Sequence, residues 1–76
     1  MNCALLKGKI REQAMTQGDV AEKIGISLSR FNAKLNNFAG AEFSLGEVRA
    51  IKSLLQLSSE QVGQIFFDEK VSQKGE

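Results

Sequence analysis

The 76 residues, of which 42% are apolar, 25% charged and none proline, are typical of one small domain, and this composition suits a compact all-helical protein better than a disordered one. Its formal net charge of +1 is weak for a nucleic-acid binder, and its single cysteine, Cys3, cannot form an internal disulfide. Because no segment approaches the roughly 18 apolar residues of a membrane span, and the N-terminus lacks the apolar run of a signal peptide, we expect a cytoplasmic protein.

The first predicted helix covers residues 2–14. Its apolar residues recur at helical spacing on one face and comprise Cys3, Leu6, Ile10 and Ala14, whereas Lys7 and Arg11 share another face. Cys3 can be either a small buried hydrophobe or a reactive thiol. Gly8 costs about 1 kcal/mol relative to alanine inside a helix, which either a close backbone approach or simple tolerance would explain.

Two short helices that meet at a tight turn are predicted next, and the first of them begins after residue 16. Thr16 can cap it in a capping box with Asp19, whose side chain reaches back to the cap. The apolar stripe of this helix comprises Val20, Ala21 and Ile24. The small Ala21 suits a position where two helices cross closely.

The turn and the second of these helices lie between residues 25 and 36. Gly25 can take the positive φ that ends a helix, and Ile26 can fill the corner. Ser27 can cap the second helix, whose buried face is Phe31 and Leu35. Two short helices joined by a tight turn that contains glycine form a helix-turn-helix.

This segment, Gln17–Leu35, has the pattern Q-x-x-V-A-x-x-x-G-I-S-x-x-x-F-x-x-x-L and resembles the helix-turn-helix of small phage repressors and Cro proteins. The ordering of a basic first helix, this motif, an LNN segment, a second amphipathic helix and a closing IFF is similar to short, XRE-type phage and prophage regulators over about residues 5–70. The resemblance implies an all-α, compact five-helix Cro/repressor-like domain with the helix-turn-helix at helices 2 and 3. It also implies a transcriptional regulator that binds a short operator in double-stranded DNA, as a homodimer.

A loop with turn chemistry and two phenylalanines follows the motif. Asn36 or Asn37 can take the left-handed conformation that ends a helix. Phe38 and Phe43 are expected to fold the loop onto the core. The alternative is that they stack on bases, as in single-strand binders.

Two further helices are predicted, over residues 44–56 and from residue 58 onwards. Each begins with a capping box, formed by Ser44 with Glu47 and by Ser58 with Gln61. One face of the fourth helix comprises Leu45, Val48, Ile51, Lys52 and Leu55, and the buried side of the fifth comprises Val62, Ile65 and Phe66. We expect one domain over residues 1–70 and a flexible polar tail over residues 71–76, because the residues from Asp68 onwards lack apolar periodicity.

Reactive side chains are scarce in this chain. It contains no histidine, Cys3 stands alone, and the carboxylates show no pair that would face a cleft. Signatures of zinc, iron–sulfur and phosphate-loop sites are missing. We therefore expect no enzyme activity, no metal and no cofactor.

The distribution of charge is more informative than its total. Residues 1–41 carry six basic and three acidic groups, whereas residues 42–76 carry four and six. Two stretches, residues 7–11 and 23–41, contain basic residues and no acid. These stretches can be ordinary solvated surface, but their position on either side of one candidate reading helix favours a polyanion as partner.

Carried over position by position, the resemblance implies the roles of individual residues. Gln17 at the start of the first motif helix would contact a phosphate; the alternative is that it simply faces solvent. The second motif helix would enter the major groove with an outward face that comprises Ser27, Leu28, Ser29, Asn32 and Ala33. Asn32 can bond bidentately to adenine, and the two serines are short, unspecific donors. Phosphate contacts would come from Lys7, Arg11 and Lys34.

Arg30 and Leu28 are the two unusual residues of this helix. Arg30 lies in the first turn, three residues after the cap, where an acid is preferred and a cation is disfavoured by a few tenths of a kcal/mol. Its side chain either contacts a phosphate or a base of a bound nucleic acid, or it projects into solvent. Leu28 can touch a thymine methyl group, belong to a protein-binding patch, or fold back into the core.

Two functions from different classes follow. The first is a phage-type transcriptional regulator that binds operator DNA, which the basic stretches and Gln17 favour. The second is an antirepressor-like module whose helix-turn-helix face binds another regulatory protein. The low net charge and the apolar-leaning face of the reading helix favour this second function.

Overall fold

The computed structural model of the chain describes residues 1–67, which form five α-helices and no strand. These are α1 (Cys3–Glu12), α2 (Gln17–Ile24), α3 (Leu28–Leu35), α4 (Leu45–Leu55) and α5 (Ser59–Phe66), with a short 3-10 turn at Phe38–Gly40 between α3 and α4. The prediction of an all-α protein with five helices is confirmed. The predicted polar tail over residues 71–76 lies outside the described residues.

Short-range hydrogen bonds determine where the helices begin. In α2 the hydroxyl of Thr16 accepts from the Asp19 N–H at 3.0 Å, and the Asp19 carboxylate accepts from the Thr16 N–H at 2.9 Å. The same reciprocal pair begins α4 and α5, so the three predicted capping boxes are confirmed. The first helix begins differently, because the side chain of Asn2 accepts from the Leu5 N–H at 3.0 Å and no return bond exists.

Helices α2 and α4 end in the same way. Gly25 and Gln56 adopt left-handed backbone conformations, with φ of 86° and 57°. The next N–H group, of Ile26 and of Leu57, bonds back to the carbonyl five residues earlier at 3.0 and 2.9 Å. Both of these apolar residues pack against the core, as predicted for Ile26; Leu57 was not assigned to the core from the sequence.

Replacement of glycine by alanine should have opposite effects at Gly8 and Gly25. Gly8 lies inside α1 with no atom within 4 Å of an added Cβ, which excludes a close backbone approach, so Gly8→Ala should stabilise the protein by about 0.5–1 kcal/mol. Gly25 has space for a Cβ but a φ of +86°, so Gly25→Ala should destabilise it by about 1 kcal/mol. Urea denaturation of both variants measures the difference, and two shifts of the same sign would contradict it.

One hydrophobic core joins the five helices. Helix α2 packs against α1, α3 and α4, and α5 closes the fold against α1 and α4. The Asn2 N–H donates to the Ile65 carbonyl at 2.7 Å and ties the start of the chain to α5. The core comprises Leu6, Ile10, Val20, Ala21, Phe31, Leu35, Ile51, Leu55, Leu57 and Ile65, and the half-buried Cys3 packs against it as a small hydrophobe.

Three residues that were predicted on buried faces are exposed. Ala14 lies beyond the end of α1 with a φ of 57°, which turns it off the apolar face. Phe38 is 72% exposed, because the left-handed residues on either side of it, Asn37 and Ala39, turn the backbone away from the core. Leu45 is 62% exposed, since the first turn of α4 extends past the edge of the core.

Phe43 confirms the other half of the prediction for the loop between α3 and α4. Its ring packs edge-on against Phe31, with centroids 5.4 Å apart, and against Phe66, with centroids 5.8 Å apart. This aromatic row joins α3 to the end of α5. Asn37, at a φ of 52°, is the residue that takes the left-handed conformation after α3.

Candidate functional site

Helix α3 carries most of the predicted site residues, and its inner face determines where they point. Phe31 and Leu35 are buried in the core. At the start of the helix the hydroxyl of Ser27 accepts a hydrogen bond from the Arg30 N–H at 3.1 Å. With the inner face and the cap both fixed, the opposite side of the first turn faces solvent.

The predicted outward face of α3 divides into an exposed first turn and a half-buried middle. Ser27, Leu28 and Ser29 are exposed, whereas Asn32 and Ala33 are half-buried. Leu28 is 48% exposed, which excludes the alternative that it folds back into the core. The most accessible part of this surface is therefore the first turn of the helix, where two serines lie on either side of the exposed Leu28.

Arg30 is exposed in the first turn of α3 and forms no ion pair with the acids of residues 1–67. The first turn of α3 contains no acid, whereas those of α2, α4 and α5 contain Asp19, Glu47 and Glu60. Helix α1 also lacks an acid in its first turn. Among the five helices of residues 1–67, however, only α3 has a cation, Arg30, in its first turn, beside the positive end of the helix.

A second basic group lies at the junction of α1 and α2. Lys7 and Arg11 are exposed one helical turn apart on α1, and with Gln17 they line a shallow groove of about 190 Å³. The structure thus brings together three of the predicted site residues at the N-terminus of α2, where N–H groups and the helix dipole favour an anion. Lys9, between the two cations, instead pairs with Glu12 at 3.6 Å.

Lys34 is placed differently from the prediction. Its ammonium group lies 2.7 Å from both carboxylate oxygens of Glu47 on α4, and the two side chains are only 19% and 16% exposed. A lysine held in this way does not project toward an external phosphate. The prediction missed it because the partner lies 13 residues away in sequence and had been assigned only a capping role.

Local hydrogen bonds keep the two capping carboxylates ionised. Burial raises the pKa of Glu47, but the ammonium group of Lys34 and the Ser44 N–H more than offset this, so the pKa lies below its ordinary value. The pKa of Asp19 is lowered by the N–H and the hydroxyl of Thr16. Both groups are therefore anions near neutral pH, and the Glu47 carboxylate is charged where it contacts Lys34.

A partly apolar groove that the sequence did not indicate lies beyond the C-terminal end of α3. It has a volume of about 430 Å³, and its lining combines apolar side chains (Met1, Phe43, Val48, Phe66 and Phe67) with Lys34, Asn37, Gly40 and Glu42. Its aromatic residues had been assigned to the core or left unassigned. Phe43 and Phe66 are half-buried and Phe67 is exposed, which apolar periodicity does not reveal.

Residues 1–67 contain no group of three or more histidine, cysteine, aspartate or glutamate side chains that could hold a metal ion. No helix in that range is both long enough and apolar enough to span a membrane.

Comparison with known proteins adds no further assignment. No family model, no curated protein and no solved structure matches the chain. The likeness to phage repressors and Cro proteins therefore stays a resemblance, carried by the residues quoted above. The function has to be argued from the geometry of this surface.

Proposed function

We propose that the chain is a phage-type transcriptional regulator that binds a short operator in double-stranded DNA through a helix-turn-helix formed by α2 and α3. In this arrangement the first turn of α3 enters the major groove, and α2 crosses the phosphates of one strand. Two copies of the chain would bind the two halves of a pseudo-palindromic site.

The observation that carries this proposal is the exposed Arg30 at the start of α3. Its guanidinium has no acid to pair with in residues 1–67, and it lies at a helix end where a cation is disfavoured. An external anion or the acceptor edge of guanine would offset that cost. The side chains of Ser27 and Ser29, on the same turn, are short and would let α3 lie close to the bases in the major groove.

The groove at the start of α2 supports the same proposal. Lys7 and Arg11 supply positive charge, and Gln17 supplies a side-chain amide beside the free N–H groups of the helix. These residues would contact phosphates and fix the register, Asn32 would read base edges, and Arg30 would contact a phosphate beside the first turn of α3. Lys34 is left out of this set because Glu47 holds it.

Arg30→Ala should weaken binding to duplex DNA by about ten-fold, because one charged hydrogen-bond donor is worth roughly 1–3 kcal/mol at a base or phosphate. Its stability should change by less than about 0.5 kcal/mol, since the side chain is exposed. Fluorescence anisotropy with labelled duplexes measures the affinity, and urea denaturation the stability.

Arg49→Ala is the matched control, because Arg49 is also exposed and forms no ion pair within residues 1–67 but lies on α4. It should leave the affinity for DNA within about two-fold of the wild-type value. An equal loss of affinity in the two variants would show that binding follows total charge rather than the surface of α3. An Arg30 variant that binds as tightly as the wild type would remove α3 from the interface.

A second function, a module that binds another regulatory protein through the same face, is favoured by one observation. Leu28 is 48% exposed at the first position of α3, in the middle of the outward face. An exposed leucine alone is ordinary. At the centre of a recognition surface, however, it offers DNA only a methyl contact, whereas it can anchor a protein interface.

Leu28→Ala and Leu28→Gln separate the two functions. If DNA is the partner, Leu28→Ala should reduce the affinity by about 1 kcal/mol or less. If a protein is the partner, truncation of a central apolar anchor should cost about 2 kcal/mol or more. Variants that fold and bind DNA like the wild type, yet lose binding to a purified regulator that the wild type binds, would demote the DNA proposal.

A further inference from the structure

One ion pair connects α3 directly to another helix. Among residues 1–67 two ion pairs exist, and the pair of Lys9 with Glu12 lies within α1, so only Lys34 and Glu47 join different helices. Helix α3 packs mainly against α2 and the 3-10 turn, and its direct contact with α4 is slight. The ion pair is therefore the main polar connection between the C-terminal end of α3 and the start of α4.

The carboxylate of Glu47 is held by its capping box as well as by Lys34. One of its oxygens accepts from the Ser44 N–H at 2.8 Å, and the Glu47 N–H donates to the Ser44 hydroxyl at 3.2 Å. A side chain that is already held by its capping box loses little further conformational freedom when it forms an ion pair. Both carboxylate oxygens lie 2.7 Å from the Lys34 ammonium group, which makes the contact directional as well as close.

The capping box itself does not require a charge at residue 47. In α5 the amide oxygen of Gln61 accepts from the Ser58 N–H at 2.9 Å, and the Gln61 N–H donates to the Ser58 hydroxyl at 3.1 Å. Glutamine thus makes both capping bonds at the same helix position. It follows that Glu47→Gln can remove the ion pair while it preserves the cap.

We propose that Lys34 and Glu47 are positioning residues that fix the orientation of α3 against α4, and so the angle at which the outward face of α3 meets DNA. This inference rests on the DNA-binding function proposed above. Lys34 lies in the last turn of α3, whereas Arg30 lies in the first, so a small rotation about one end moves the other. Base contacts tolerate displacements of only about 0.5 Å before they weaken.

The direction in which Glu47→Gln changes the affinity for DNA distinguishes a positioning role from simple electrostatics. Removal of an acid makes a protein more positive, which strengthens its binding to DNA. Glu47→Gln would also release Lys34, which could then contact a phosphate. Both effects predict tighter binding, whereas the loss of a positioning contact predicts weaker binding.

The test uses Glu47→Gln, Lys34→Met and the double variant on a duplex that the wild-type chain has selected from a randomised library. Each single variant should weaken binding by about three- to ten-fold, and the double variant should be no weaker than either single variant, because the two residues act as one unit. Glu60→Gln, which removes an exposed acid of α5 that forms no ion pair within residues 1–67, should bind like the wild type or slightly more tightly. Tighter binding by Glu47→Gln, or unchanged binding by both single variants, would overturn the proposal.

Amide hydrogen exchange supplies a measurement that does not depend on DNA. The Asn36 N–H closes α3 through a bond of 3.0 Å to the Asn32 carbonyl, and its exchange should accelerate at least about three-fold in both single variants while that of Ile65 in α5 stays unchanged. If the wild type selects no DNA, the proposed function fails and the role in recognition fails with it, while this local acceleration would still show that the pair holds α3. Exchange at Asn36 that is unchanged, or that accelerates equally throughout the protein, would overturn the positioning role. If Lys34→Met does not fold, Glu47→Gln, which keeps the cap, carries the test.

Discussion

Replacement of Phe31 by alanine is expected to lower the free energy of unfolding by about 3–5 kcal/mol. The side chain is completely buried, and it packs edge-on against Phe43, which in turn contacts Phe66. Alanine would leave a cavity between α3 and the rest of the core and remove one end of this aromatic row. Because small domains are stable by only about 5–15 kcal/mol, the loss should be plain in urea denaturation, with a lower midpoint and an unchanged slope.

Phe38 provides the matched control for this prediction. It is also a phenylalanine and lies only seven positions further along the chain, but it is 72% exposed. Phe38→Ala should therefore change the free energy of unfolding by less than about 0.5 kcal/mol. A change at residue 31 within experimental error would mean that α3 buries a different face, and the outward face would then have to be reassigned.

The helix starts were predictable because their determinants are local. Each capping box joins two residues three positions apart, so Thr16 with Asp19 and Ser44 with Glu47 can be recognised without knowledge of the fold. The left-handed end of α2 at Gly25 is similarly local. The inward face of α3 followed from the spacing of Phe31 and Leu35, which lie one helical turn apart in a helix of eight residues.

The exposed Phe38 and Leu45 were not predictable in the same way. Apolar periodicity assigns a residue to a face, but it does not indicate where the core ends along a helix, and Leu45 lies beyond that edge. The exposure of Phe38 depends on the backbone on either side of it, since Asn37 and Ala39 both adopt positive φ. Alanine rarely adopts that conformation, so the sequence carries no signal for it.

For the candidate site, the sequence identified exposed charges but not their partners. Arg30 and Lys34 look equivalent as cations of one helix, yet the first is unpaired within residues 1–67 and the second lies against Glu47. The difference depends on how α3 and α4 come together. Tertiary contacts of this kind decide which cations remain available to a ligand.

The central claim, that this surface binds nucleic acid, is tested most directly by the salt dependence of DNA binding. Lys7, Arg11 and Arg30 would give about three phosphate contacts per chain once Lys34 is excluded, and each contributes about −0.9 to the slope of log K against log salt. We therefore expect a slope of about −3 for one chain and about −5 for a dimer.

The measurement is a titration of the wild-type chain with duplex DNA at salt concentrations between about 50 and 200 mM, over which the affinity of a single chain should fall by about 40-fold. The slope should become shallower by about 0.9 per mutated chain when Lys7 or Arg11 is replaced by alanine, provided that each contacts a phosphate. A steep slope for the wild type that becomes shallower by this amount in the Lys7 and Arg11 variants supports DNA as the partner. A flat response to salt, or no binding at the lowest concentration, would contradict it.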